Sequence, residues 1–263
     1  MRPKPLTNAE RQARRRAKRN ALAYKRCWTR RASPGTCARP ARATLSDGGA
    51  GVMSMVPATG IGRSCGTSMA TPAVTGVVAL MVEKMGKLGF DKSNVFPSTY
   101  KAFLIHGAED LGRPGPDFEF GFGHVRVAST LKLMSDRAFH QLKIEREGDV
   151  QTQELPIASG ASELKVTLVW DDRPVSIFSN EALSNDLDLV LVSPSGDRQL
   201  PFLLDGAHGR ETEPARPGVD RVNVVEQVLI KQPNAGVWRV EVRASKIGSP
   251  TGGQTYSLVT SVQ

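Results

Sequence analysis

The stretch Gly66-Thr67-Ser68-Met69-Ala70-Thr71-Pro72, followed directly by AVTGVVALMVEKM (73–85), decides how the rest of the chain is read. Val74, Val77, Val78, Met81, Val82 and Met85 recur at helical spacing on a wide apolar face, which predicts a mostly buried helix from Thr67 to about Lys87. Pro72 fits early in such a helix because first-turn amides lack partners in any case. Gly76 is expected to let another backbone come close. A serine at a helix N-terminus presents its hydroxyl from a tight turn, where unpaired amides and the positive end of the helix dipole stabilise developing negative charge. The plainer role for Ser68 or Thr67 is to cap the helix, which a lone Ser-x-Ala would do. On the residues alone both roles stay open.

Working outward, GAGVMSMVP (49–57) reads as a strand ended by the turn Pro57-Ala58-Thr59-Gly60. STYKAFLIHGAED (98–110) reads as a second helix started by a Ser98 cap, and a short helix follows near Val127 to Ser135. Beyond about residue 140 the hydrophobic period changes to two. LKVTLVW, DLDLVLVSP, VNVVEQVLI, GVWRVEVRAS and TYSLVTSV are strands separated by turn residues, the pattern of an antiparallel sandwich or jelly roll. The chain therefore divides into a basic segment 1–46, an α/β segment 47–138 and an all-β domain 139–263, with the boundary near 136–142.

The serine heptapeptide resembles the nucleophile motif of the subtilisin-like serine proteases, the subtilases. PSTYKAFLIHGAEDL followed by FGFGHVRV is similar to the helix and glycine loop that trail the nucleophile in that family. LVWDDRP, SNDLDLVLVSPSG and VNVVEQVLI resemble the β-barrel domain of its alkaline, oxidation-tolerant bacterial subgroup. The likeness covers about residues 48–263. It implies peptide-bond hydrolysis through an acyl-enzyme on Ser68, a peptide or protein substrate, and no cofactor for the chemistry. It also implies the order Asp, His, Ser, with an oxyanion Asn before the serine. Here His106, His124, His140 and His208 all follow Ser68, Asp47 is the one Asp before it, and Asn8 and Asn20 lie in the basic segment. The expectation is an N-terminally truncated, inactive chain, since losing a triad member costs on the order of a million-fold in turnover. A non-catalytic β-sandwich binding or assembly module with a vestigial serine motif is the alternative.

Asp186 and Asp188 share one face of a strand, with Leu187, Leu189 and Leu191 on the other. With Asp220, Asn223 and Glu226 they offer oxygen ligands for calcium, and the resemblance implies structural calcium in this domain. A pair of solvated acids at a strand entrance is the competing reading. His208 is expected to be exposed on its loop, and His106, amid Phe103, Leu104 and Ile105, to be partly packed.

The formal charge of +9 is a local matter. Residues 1–46 hold fourteen Lys and Arg against Glu10 alone, so residues 47–263 carry −4. Three readings of that segment stay open: an arm for nucleic acid or an acidic surface, a solvated tail, or a mistranslated or misassigned start. Nucleic acid is disfavoured as a partner, because the basicity is confined to this segment. Cys27, Cys37 and Cys65 form no disulfide framework. No apolar run is long enough to span a membrane and no apolar h-region marks a secretory signal, although subtilases are usually secreted; the compartment is left open.

Overall fold

The computed structural model describes residues 52–56, 60–64, 66–175, 179, 181–207, 210–248 and 252–263. The basic segment 1–46, Cys65 and His208 lie outside these residues, and so do the readings made for them. The first described elements are β1 (Val52–Val56) and β2 (Gly60–Ser64), an antiparallel hairpin that pairs Val52 with Ser64 and Val56 with Gly60. The sequence predicts β1 and its turn. Glycine-rich GIGRS carries no period-two pattern and hides β2.

Helix α1 (Thr67–Lys87) runs over the predicted span, but it is far less covered than its apolar face implies. Met81 and Met85 are buried, Val74, Val77, Val78 and Val82 are intermediate, and Leu80 is 50 % exposed. Gly76 has no neighbour within 4 Å of where its Cβ would stand, so no backbone approaches it among the described residues. Pro72 is the sixth residue of the helix rather than part of its first turn. Its missing amide deprives the Ser68 carbonyl of its i+4 donor.

Helix α2 (Pro97–His106) starts with Pro at its first position, not with a Ser98 cap. Ser98 is instead buried, with its amide donating to Asp171 Oδ2 at 2.9 Å and its hydroxyl 3.0 Å from Ser257 Oγ. Helix α3 (Val127–Ser135) follows, ending on Asp136. The described part of 47–138 is therefore a hairpin, three α-helices and a 3-10 turn at Lys92–Asn94. No parallel strand pair occurs among the described residues, where the helices lean on antiparallel sheet.

The remaining strands are β3 (Phe139–Ile144), β4 (Val150–Ile157), β5 (Glu163–Trp170), β6 (Asn185–Val192), β7 (Arg198–Gln199), β8 (Phe202–Leu203), β9 (Arg216–Pro217), β10 (Val225–Lys231), β11 (Gly236–Ile247) and β12 (Gln254–Val262). They build two open four-stranded antiparallel sheets, ordered β10-β5-β12-β3 and β4-β11-β6-β7, rather than a closed barrel. β3 and β4 escape sequence reading because FHQLKI and VQTQELPI are too polar to stand out. Leu164, Val166, Leu168, Trp170, Tyr256 and Leu258 of one sheet meet Leu187, Leu189, Leu191, Trp238, Val240 and Val242 of the other in the main core.

The alternate residues of β5 and β12 face the helices. Val169 and Val259, with Val225, form a second apolar cluster with Met81, Met85, Phe103 and Met134. The connection from α3 to β3 is short. Asp136 caps the helix, Arg137 takes φ 52°, and Phe139 already lies 5.2 Å from the Phe103 ring. The helical part and the sandwich thus share a core across residues 136–142. Among the described residues no helix is long and apolar enough to cross a membrane.

Phe103 has no exposed surface, so Phe103→Ala is expected to cost about 3–5 kcal/mol in urea unfolding. Leu80→Ala, on the open side of α1, is expected to stay within about 0.5 kcal/mol of the parent.

Candidate active site and acidic cluster

Ser68 is the second residue of α1 and is exposed. Gly66 precedes the helix at φ 138°, a backbone conformation that favours glycine, and no side chain caps the helix. The Met69 and Ala70 amides both donate to the Gly66 carbonyl, at 3.1 and 3.2 Å. The Thr67 and Ser68 amides are left without a partner in their own helix, and the first turn holds no acid to offset its positive end. The Thr71 hydroxyl donates to the Thr67 carbonyl at 2.7 Å and stiffens the turn. An exposed hydroxyl beside unpaired amides suits attack on a carbonyl and stabilisation of the resulting oxyanion.

Among the described residues no histidine is hydrogen-bonded to Ser68. His106 is 3 % exposed, with Nδ1 3.0 Å from Thr167 Oγ1 and Nε2 2.8 Å from Ser261 Oγ. Both nitrogens are committed, one donating and one accepting in the neutral ring. Burial pushes its pKa down to about 3, and the Lys165 ammonium acts in the same direction. Sequence reading has His106 partly packed; its completed hydrogen bonds come from strands over sixty residues away in the chain and carry no local signal. The His124 backbone pairs with Glu109 in an isolated bridge, and His140 is exposed on β3.

Asp186 and Asp188 lie on the face of β6 opposite Leu187, Leu189 and Leu191, as the alternation predicts. What they bind differs from the calcium expectation. Arg221 Nη1 donates to Asp186 Oδ2 at 2.9 Å and also to Asp188 Oδ1, while its Nη2 donates to Asp188 Oδ2 at 3.2 Å. The Ser245 hydroxyl donates to Asp188 as well. Asp220 is used locally: Oδ1 accepts the Val222 and Asn223 amides at 2.8 and 3.1 Å, and Oδ2 accepts the Asn223 side-chain amide at 2.6 Å. Glu226 reaches from β10 to the other sheet, where Oε2 accepts the Leu189 amide at 2.5 Å. β7 pairs with β6 only at Leu191 and Val192, so Glu226 closes the part of that edge β7 leaves open.

Burial pushes the Asp186 carboxyl up to about 6, against the pull of Arg221. Burial also raises Glu226 well above its ordinary value, and Asp188, Asp220 and Asp186 push the same way. Calcium takes about six to eight oxygen ligands. Among the described residues no group of three or more His, Cys, Asp or Glu is disposed to hold a metal ion. With the guanidinium seated on both aspartates, the arrangement does not fit calcium.

Comparison with known proteins places residues 25–123 against the model of the subtilase family. The matched span includes the Ser68 motif, begins inside the basic segment, and stops before the sandwich. Among solved structures, the chain is similar to the Aeromonas sobria serine protease at 17 % identity and TM-score 0.22, covering 76 % of this chain and 44 % of that one. The pre-peptidase C-terminal domain of a Bacillus anthracis collagenase matches at 12 % identity and TM-score 0.27, over 46 % of this chain and 88 % of that one. A Bacillus licheniformis lipase in its propeptide form matches at 15 % identity and TM-score 0.28, over 48 % of this chain and 22 % of its own.

His106 is neutral when folded, and its pKa lies below the unfolded value of 6.5. Its contribution is present above pH 6.5 and is lost as pH falls toward 3, on the order of 5 kcal/mol in all. Asp186 works oppositely. Its raised pKa makes stability fall as pH rises from 3.8 to about 6. Unfolding free energies of the parent and His106→Gln from pH 7 to 4 separate the two. The variant is expected to lose most of the acid-side decline while keeping the Asp186 trend.

Proposed function

We propose that this chain is a subtilase-like serine peptidase chain in which Ser68 is the nucleophile. One observation carries this reading: Ser68 is exposed in an uncapped first helical turn, within a seven-residue motif that lies inside the subtilase match. In the reaction the Ser68 hydroxyl oxygen attacks the scissile carbonyl carbon as its proton passes to a base. The oxyanion formed faces the Ser68 amide and the helix N-terminus. Collapse expels the amine with that proton and leaves an ester on Ser68, which water then hydrolyses.

A missing general base is part of this reading, and the state of His106 supports it. His106 is neutral, buried and bonded at both nitrogens to Thr167 and Ser261, so it holds no free nitrogen for the Ser68 proton. The helix dipole and amides alone leave the hydroxyl a weak nucleophile, and turnover by this chain by itself is expected to be lower than that of a complete triad by on the order of a million-fold. The alternative, an autonomous sandwich with a vestigial serine segment, fits less well with Val169, Val225 and Val259 turned toward the helices.

A fluorophosphonate probe with mass-spectrometric mapping tests both statements. The purified chain is expected to label far below stoichiometry, with the trace adduct on Ser68 and lost in Ser68→Ala. Stoichiometric labelling of Ser68 overturns the inactivity of the isolated chain. A trace adduct that maps to other serines removes Ser68 from its role.

A further inference from the structure

Strand β7 leaves its sheet early. In the β6–β7 register the next partner of Leu189 would be Pro201, which has no amide to offer the Leu189 carbonyl. The chain turns outward there into the β8–β9 hairpin. The Gly218 amide then donates to the Pro201 carbonyl at 2.9 Å and brings Val219 back beside Pro201. A pocket of about 170 Å³ is left, with Val190, Leu200, Pro201 and Val219 as its apolar lining. Val219 is 44 % exposed and belongs to neither core cluster.

Charge around this pocket is uneven. Glu241 takes Arg198 at 3.1 Å and Arg239 at 3.6 Å. Asp188 stands opposite Arg243 in the β6–β11 register, but its oxygens are taken by Arg221 and Ser245. Arg243 is therefore exposed at the pocket without a hydrogen bond or ion pair among the described residues. Its guanidinium is a planar fork of donors that matches a carboxylate. A ligand seated here also covers oxygens of Glu241 and Asp188, whose spare lone pairs call for a donor once water leaves.

The C-terminal residue of a peptide meets all three demands, with a carboxylate, an N–H beside it and an apolar side chain. A fatty acid has no N–H to give. Drug-sized ligands fill roughly 300–1,000 Å³, so this smaller pocket suits a single residue. We propose that the pocket binds the free C-terminus of a peptide ending in an aliphatic residue, with Arg243 on the carboxylate and Val190, Leu200 and Val219 around the side chain. The proposal is independent of the peptidase reading, and its failure leaves Ser68 untouched.

The full chain is titrated with N-acetylleucine, its carboxamide and isocaproate, the last keeping the carboxylate and branched chain without the N–H. Binding is followed by amide NMR shifts. N-acetylleucine is expected to saturate shifts at Val190 and Val219 with a dissociation constant on the order of millimolar. The carboxamide and isocaproate are each expected to bind about tenfold more weakly. Arg243→Gln is expected to melt with the parent and to lose the preference for acid over carboxamide, and Arg243→Lys to keep part of it. Val219→Asp, at an exposed position, is expected to abolish binding, whereas Arg239→Gln, off the pocket, binds as the parent does. No saturable shift at Val190 or Val219, or equal binding of acid and carboxamide by the parent, overturns the proposal. Isocaproate binding as tightly as N-acetylleucine overturns the peptide as occupant, and undiminished binding by Arg243→Gln overturns the role of Arg243.

Discussion

The underside of α2 meets the outer face of the β5–β12 ladder through a row of buried polar groups set among apolar ones. His106 bonds Thr167 and Ser261, Thr99 bonds Ser257 and Gln141, and Ser98 bonds Ser257 and the Asp171 carboxylate. Gln227 closes the row by donating to Thr167. Leaving any one of these groups unpaired in the contact would cost about 1–3 kcal/mol, so the helix has one register on the sheet that satisfies all of them. Phe103, Met81 and Met134 then fall over Val169 and Val259, and α1 is held with Ser68 at its open end. The position of the candidate nucleophile thus depends on polar matching some thirty residues further along the chain.

The acidic cluster solves a related problem by different means. Strand β6 is buried on its inner face and only partly covered along its edge, because β7 is short. A carboxyl from the other sheet takes the exposed Leu189 amide, and burial together with the neighbouring acids favours its protonated form. Arg221 compensates charge that the protonated groups do not remove. Hydrogen bonding, proton uptake and an internal cation divide the electrostatic cost among them.

The fold was legible where one physical signal dominates. The apolar helix at 67–87, the α3 span and the strands around Leu168, Leu189, Val240 and Leu258 announce themselves by period. β2, β3 and β4 do not, because their sequences are glycine-rich or polar and are ordered by neighbours rather than by their own pattern. The apolar face of α1 suggests burial that the described structure provides only at Met81 and Met85, since periodicity states what a helix could bury and not what is there to cover it.

By itself the sequence determined the serine motif at a helix start, the antiparallel character of residues 139–263, and the shared face of Asp186 and Asp188. These follow from contacts a few residues long, in which neighbouring side chains and backbone period suffice. Tertiary structure decided the rest: that His106, at the end of α2, is sealed against the sheet with both nitrogens bonded, that the helices and sandwich share a core, and that Arg221 sits on the two aspartates. Those outcomes rest on partners tens of residues apart, where burial and hydrogen-bond completion, rather than any local pattern, choose the pairing.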